Sequence, residues 1–447
     1  MSSRVLGNYF TLQRGTTYKS MLLDRPGPVL LGLASIARNG GFRADNLRTY
    51  GGDSPEKLIL RPGELYVALK DVTQSADLLG AVARVPEEIQ LGRLTQDTVK
   101  LVFASGKDGA STYIYWLLRT PQYRQYCRAR AIGTTNLSLT RDDFLSFLVP
   151  DLTDERMALV ELLEAFEEKI ELNRRMNHTL EAITRAIFKS WFVDFDPVRA
   201  KADGLRAGTC SGFIHLFSDR LQESGIGKIP AGWRMSSLGV EARRCGGQIQ
   251  TGPFGSQLHA SDYVSGRGVP VVMPKNIFNR RVSTREIARV AEADAERLSR
   301  YRLKGGDIVY SRRGDVERHA WISSNETGWL CGTGCLLVRM GSKWTAPLFI
   351  SFALDRPESK AWIAQRAIGA TMPNLNTSIL SEFPVVVPPD TILGAFASLA
   401  DPIQLLVSAK NTENETLAEL RDTLLPRLIS GDFRLRELDR IAEATKA

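Results

Sequence analysis

Between residues 162 and 187 a seam of side chains recurs at alternating steps of four and three: Leu162, Phe166, Lys169, Asn173, Met176, Leu180, Ile183, Ile187. This spacing keeps one stripe of an α-helix facing a partner. The same rhythm returns 237 residues later as Leu399, Ile403, Leu406, Lys410, Glu413, Leu417, Leu420, Leu424, with its polar interruption at the same place. The pattern predicts two long helices that pack on each other, and a repeat in register over 26 residues implies a duplicated unit.

Other segments recur at nearly that offset. Ile132-Gly133 reappears as Ile368-Gly369, and each is followed by an apolar segment ending in proline, residues 144–150 and 383–389. Residues 61–67 and 306–310 both read as a strand entered from a glycine turn. The predicted fold is α+β: two globular domains in tandem pseudo-repeat, separated by two long antiparallel helices that form a coiled-coil spacer. The boundaries fall at 1–150 (first domain), 151–192 (central long helix), 193–232 (connector), 233–390 (second domain), 391–435 (C-terminal long helix) and 436–447 (tail). A chain of 447 residues exceeds what one hydrophobic core usually holds, which agrees with this division. A 26-residue helix spans roughly 39 Å at about 1.5 Å per residue, close to the ~34 Å of one DNA turn, so the helix pair could act as a ruler.

Composition narrows the chemistry. Hydrophobic residues make up 43% and charged residues 24%, no run of 18 apolar residues occurs, and the N-terminus lacks a signal-peptide core, so a cytoplasmic protein without a membrane segment is expected. The five cysteines (Cys127, Cys210, Cys245, Cys331, Cys335) are scattered and the four histidines never cluster, which argues against a disulfide framework or a metal centre. A net charge of +8 favours an acidic partner, most simply nucleic acid.

Arg, Lys, Asn and Gln suit bidentate contact with base edges and phosphates. Three loops of the second domain concentrate them: residues 248–258 with Gln250, Thr251 and Ser256; residues 274–281 with Lys275, Asn276, Arg280 and Arg281; and residues 311–315 with Arg312 and Arg313. In the first domain Arg38, Asn39 and Arg43 follow a strand in the same way, and Lys70 follows another. Asn136 after the first Ile-Gly turn, and Asn374 and Asn376 after the second, complete the candidate DNA-binding set.

The order domain, helix, domain, helix, together with Gln250-Thr251-Gly252-Pro253-Phe254-Gly255-Ser256, Gly306-Asp307-Ile308-Val309, Thr371-Met372-Pro373-Asn374-Leu375 and the stretch from Thr423 to Gly431, resembles the specificity subunit of type I restriction-modification systems. The first domain departs from that pattern: Thr134-Thr135-Asn136-Leu137 lacks the methionine-proline pair, and nothing there matches Gly252-Pro253-Phe254-Gly255. The resemblance implies a bipartite double-stranded DNA target, one half per target-recognition domain, with a spacer set by the helices. It implies two methyltransferase subunits and two motor-nuclease restriction subunits as partners, and it places S-adenosylmethionine, ATP and magnesium in those partners, with no cofactor and no catalysis in this chain.

The residues agree that catalysis lies elsewhere. No glycine-rich loop ends in Gly-Lys-Ser or Gly-Lys-Thr, so there is no P-loop. Val387-Pro388-Pro389-Asp390 has the prolines of an amino-methyltransferase motif without its flanks. Asp151, Asp154 and Glu155 could hold magnesium, but their position suits negative charge at a helix N-terminus better. The competing reading is a non-catalytic nucleic-acid-binding adaptor of another defence system.

Overall fold

The structure, a computed structural model, describes residues 4–73, 75–104, 108–134, 136–204, 212–369 and 373–432. Thr371, Met372, Cys210 and the tail 436–447 lie outside the described residues. The chain divides into two compact units, residues 1–172 with 413–447 and residues 173–412. Each long helix therefore contributes to both units.

In unit 1 four strands lie in the spatial order Phe10–Arg14, Thr98–Phe103, Leu65–Ala68, Val82–Arg84, every pair antiparallel. The central run Leu65-Tyr66-Val67-Ala68 is buried throughout, as expected of a strand covered on both faces. Its alternation sorts the two coverings. Leu65 and Val67 point into a core with Tyr113, Trp116 and Tyr123, whereas Tyr66 and Ala68 meet Leu31, Leu60 and Leu94 of a smaller sheet. The aromatic side chains belong to helices Asp108–Leu117 and Pro121–Ala129, the second opened by Pro121 and by the Thr120 hydroxyl, which accepts from the Tyr123 N–H. In the smaller sheet Val29–Leu31 runs parallel to Gly92–Leu94.

Unit 2 uses the same strand order: Gln248–Thr251, Cys335–Arg339, Ile308–Ser311, His319–Trp321, again antiparallel. Ile308 and Tyr310 face helix side chains such as Phe349 and Phe352, while Val309 faces Val272, Ile277 and Cys331 beneath a second sheet. In that sheet Val269–Val272 runs parallel to Leu330–Cys331.

The two long helices are Asp154–Phe192 and Asp390–Leu424. Within unit 1 Lys169 pairs with Glu413 at 3.4 Å and Arg421 with Glu167 at 3.0 Å; within unit 2 Asn177 donates to Asn411 at 2.9 Å and Phe188 meets Phe396. In each unit the helices run antiparallel. The expected seam is rotated by one residue at alternate positions. Leu163, Ile170 and Asn177 are buried, whereas Lys169 is half-buried and Met176 and Ile183 are exposed; on the second helix Val407 is buried and Leu406 exposed. The cause is that much of the buried stripe is polar: Asn173, which the seam includes, is buried, but so are Asn177 and Thr184, which a template that seeks apolar residues passes over for Met176 and Ile183. The second helix with its following turn is long and apolar enough by composition to cross a membrane, with mean hydropathy 1.5 over its most apolar stretch, yet Ile392, Leu393, Phe396 and Ala400 are core residues of unit 2.

Candidate nucleic-acid interface

At one end of the unit 2 sheets five loops are bonded together. Gly252, just beyond strand Gln248–Thr251, donates to the Cys335 carbonyl at 2.9 Å, and Gly332 donates to Val272 at 2.9 Å. Arg312 N donates to Gly334 at 2.8 Å, Gly314 N to Pro373 at 3.1 Å and Leu375 N to Arg312 at 2.8 Å, which adds the turn after Ile368. Pro274 abuts Gly334, so Lys275 joins the same rim. Gly252 has to be glycine: a Cβ there would lie 2.1 Å from the Gly332 carbonyl oxygen, and Gly15 stands in the same relation to Thr95 in unit 1.

This cluster unites Thr251, Ser256, Lys275, Arg312, Arg313 and Asn374 from the sequence expectation. Ser256, Lys275 and Arg313 are exposed; Thr251, Arg312 and Asn374 are half-buried. Among the described residues Lys275, Arg312 and Arg313 form no ion pair. Three buried polar atoms here, Arg312 Nε, Thr333 Oγ1 and Asn374 Oδ1, have no hydrogen-bond partner among the described residues. Buried polar atoms are normally satisfied, so three at one rim mark a surface suited to an outside ligand. Thr333 was missed by sequence because no motif marks a lone threonine between two glycines; Cys331 and Cys335 are buried in the strands that flank the turn, and burial raises both thiols far above their ordinary range.

Five expected contact residues serve the fold instead. Asn276 is 1% exposed, its Oδ1 accepting from Met273 N at 3.1 Å and its Nδ2 donating to the Ser283 carbonyl at 3.3 Å. Arg280 lies 3.7 Å from the centre of the Phe352 ring and donates to Ser351 at 3.1 Å, and burial holds its guanidinium down to about 10. Arg281 pairs with Glu181 and donates to Asn411 at 2.9 Å. Asn376 caps helix Thr377–Ser381 through its side-chain oxygen, which accepts from Ile379 N at 2.8 Å. Gln250 is half-buried and spends its amide on the Arg300 carbonyl at 2.8 Å.

Unit 1 places its candidates differently. Ile36 and Phe42 bridge to form a hairpin whose Gly40 abuts Arg119 and whose Asn39 accepts from Arg128 at 3.0 Å, so this loop leans on the helices. Arg38 pairs with Asp77, Arg43 with Asp45 and Lys70 with Asp97. Asn136 is exposed, but the residue that bridges back to Ile132 is Ser138, as Asn374 bridges back to Ile368. Asn136 is therefore not the partner of Asn374: the match through Leu137 and Leu375 was two residues out, and Leu139 is the buried leucine.

The strand ends of unit 1 that correspond to the unit 2 rim enclose a cleft of about 490 Å³ lined in part by Tyr18, Ser20, Asn46, Arg48, Gln96 and Asp97. Tyr18 stands edge-on to Tyr50, ring centres 6.1 Å apart. Beneath it Arg93, 3% exposed, donates to Thr16 Oγ1 at 3.2 Å and to the carbonyls of Thr17 and Asp53 at 3.3 Å, fixing the loop after the first strand. None of these residues carries a motif, and only Gly15 hinted at the close approach.

No family model matches the chain. It is 26% identical over 355 residues to the HindI specificity subunit of Haemophilus influenzae, covering 70% of this chain and 74% of that one. It is 24% identical over 335 residues to the MjaIX specificity subunit of Methanocaldococcus jannaschii, covering 74% and 71% respectively. A crystal structure of a type I restriction-modification S subunit from M. genitalium superposes with a TM-score of 0.58 over 96% of this chain and 95% of that one, at 15% identity, which shows a common fold. The chain is thus a relative of the type I restriction enzyme specificity subunits, similar in sequence over most of its length and in fold over nearly all of it.

Proposed function

We propose that this chain is the non-catalytic DNA-recognition subunit of a type I restriction-modification complex, reading a bipartite duplex target with one half per unit. The observation that carries this is the unit 2 rim, where five loops meet and where, among the described residues, three cations form no ion pair and three buried polar atoms have no hydrogen-bond partner. Phosphate contacts to Lys275, Arg312 and Arg313 would position the duplex, while side chains on the rim read base edges. The common strand order of the two sheets supports a tandem pseudo-repeat. The two long helices act as a coiled-coil spacer that sets the number of unread base pairs. Two methyltransferase and two motor-nuclease subunits complete the assembly in the cytoplasm and hold the S-adenosylmethionine, ATP and magnesium.

The test is a hybrid chain carrying residues 233–390 of a relative with a different target, expressed with its methyltransferase partner, followed by sequencing of methylated DNA. One half of the methylated site should change and the other should persist. A site altered in both halves, or in neither, would refute the division of labour.

A further inference from the structure

Within unit 2 a short hairpin joins the rim to the long helices. Its strands, Ile277–Phe278 and Arg281–Val282, pair directly. Asn276 and Ser283 close its base: Ser283 N donates to the Asn276 carbonyl at 2.7 Å, and the Asn276 amide donates to the Ser283 carbonyl at 3.3 Å. Lys275 of the rim immediately precedes this base. The far end is the turn Asn279-Arg280, with both residues at positive φ, 46° and 60°. Asparagine tolerates that conformation and glycine would take it at no steric cost, but an arginine there is strained. A side chain kept against the preference of its backbone is held by its surroundings. Arg280 packs over Phe352, and its carbonyl accepts from Trp321 N at 3.0 Å.

From this anchored turn Arg281 reaches the long helices. Its guanidinium pairs with Glu181 on helix Asp154–Phe192 and donates to Asn411 Oδ1 on helix Asp390–Leu424 at 2.9 Å. Asn177, one turn before Glu181, donates to the same oxygen at 2.9 Å. One side chain of the second domain thus touches both helices where they touch each other. The cluster is poorly suited to adding stability. Arg281 Nε and Asn177 Oδ1 are buried and have no hydrogen-bond partner among the described residues, and apolar residues of similar volume often replace such groups without loss. Polar contacts between helices do fix a register well, because a slip separates each donor from its acceptor. Unit 1 holds the central helix in a like manner: Arg84, at the end of strand Val82–Arg84, donates to both carboxylate oxygens of Glu164 at 2.7 and 2.9 Å.

We infer that Arg281 is a positioning residue: its clasp on Glu181 and Asn411 fixes where the unit 2 rim sits along the helix pair, and so holds the unread spacer to one length. This rests on the DNA-recognition reading above and gives a side chain of the second domain a share in the ruler. One helical turn advances about 5.4 Å, more than the ~3.4 Å between successive phosphates of a strand, so a slip of less than a turn already changes the spacing.

The test expresses the full chain with its methyltransferase partner and sequences the methylated DNA. The parent should modify its two half-sequences at one spacing. Arg281→Ala should modify the same half-sequences at that spacing and at spacings one base pair longer or shorter, with the preference for the parent spacing reduced about tenfold, the worth of a hydrogen bond to a charged group. Glu181→Gln keeps the shape and removes the charge; it should relax the spacing in the same direction by a smaller factor, and it decides the matter if Arg281→Ala does not fold. Asn376→Ala, which removes a helix cap outside the hairpin, should keep a single spacing. A single spacing in both clasp variants, a change of half-sequence in place of spacing, or equal relaxation in Asn376→Ala would overturn the assignment. If the hybrid chain moves one half-target while the clasp variants keep one spacing, only the role of Arg281 falls; if the hybrid leaves the target unchanged, the recognition reading itself has failed.

Discussion

Unit 1 pairs its candidate DNA-contacting cations with carboxylates, whereas unit 2 leaves those at its rim outside any ion pair among the described residues. Arg38, Arg43 and Lys70 each face an aspartate in unit 1, and Arg48 in the cleft donates to Asp24 at 2.6 Å. Lys275, Arg312 and Arg313 in unit 2 have no such neighbour among the described residues. Two domains with one strand order can thus offer a duplex quite different faces: a polar cleft whose charges are already neutralised, and a cationic rim. The common sheets supply the platform, and the strand-end loops supply the choice. Binding through unit 2 should depend more steeply on salt, because each unpaired cation that meets a phosphate releases a counterion.

The comparison can be broken at several strengths. The largest effect should come from Glu241, which is fully buried and accepts from Arg234 at 2.7 Å, Ser236 at 2.6 Å and Arg244 at 2.8 Å. Unit 1 holds its own buried carboxylate, Asp71, by hydrogen bonds from Thr73, Leu78 and Leu79 instead. Chiefly through the Arg234 hydrogen bond, the Glu241 carboxyl is drawn down from its ordinary 4.5 to about 2. A carboxylate depressed in the folded state stabilises it above pH ~4.5, and that contribution disappears as pH falls toward 2. Glu241→Gln should destabilise unit 2 by roughly 1.5–3 kcal/mol, the worth of hydrogen bonds to a charged group, since Arg234 and Arg244 keep nearly half of their side chains in water, and should remove this acid dependence. Hydrogen exchange in unit 2 between pH 5 and 2 would check both; an acid dependence that survives unchanged in Glu241→Gln would contradict the assignment.

A smaller effect is expected from Arg312→Ala. Loss of a good bidentate contact relaxes discrimination by about 1–3 kcal/mol, and methylated-site sequencing should show it in one half-target alone. Asn376→Ala should cost about 1 kcal/mol of stability, the usual worth of an N-cap, and leave the target unchanged, which a melting curve and the same sequencing would separate. The smallest change should follow Arg43→Ala. An exposed ion pair is worth about 0–1 kcal/mol, so neither stability nor the first half-target should move measurably.

The sequence made the units legible through their helices and the unit 2 loops through their glycines, because backbone requirements leave unambiguous residues behind. Gly252 cannot be anything else, and Arg312 and Arg313 follow a strand whose burial is plain from Ile308 to Ser311. Asparagine is less transparent: Asn276 and Asn376 have the chemistry of a base reader and spend it on neighbouring backbone. The seam was misjudged for the same reason, since Asn177 and Thr184 are buried while apolar Met176 and Ile183 are not. The unit 1 cleft was invisible because Tyr18, Asn46 and Gln96 come from separate loops and are assembled by Arg93, whose importance appears only when Thr16 and Asp53 are seen around it.

The division of the long helices has a consequence for how such a chain is made. Leu417, Leu424, Leu425 and Leu428 belong to the core of unit 1, and Arg156 donates to the Leu428 carbonyl at 2.9 Å. On the ribosome, the N-terminal module must wait with Leu159, Phe166 and Ile170 incompletely covered until nearly all of the polypeptide has emerged, while unit 2 already has its complement. A premature stop shortly after residue 412 would therefore injure the half of the protein translated first.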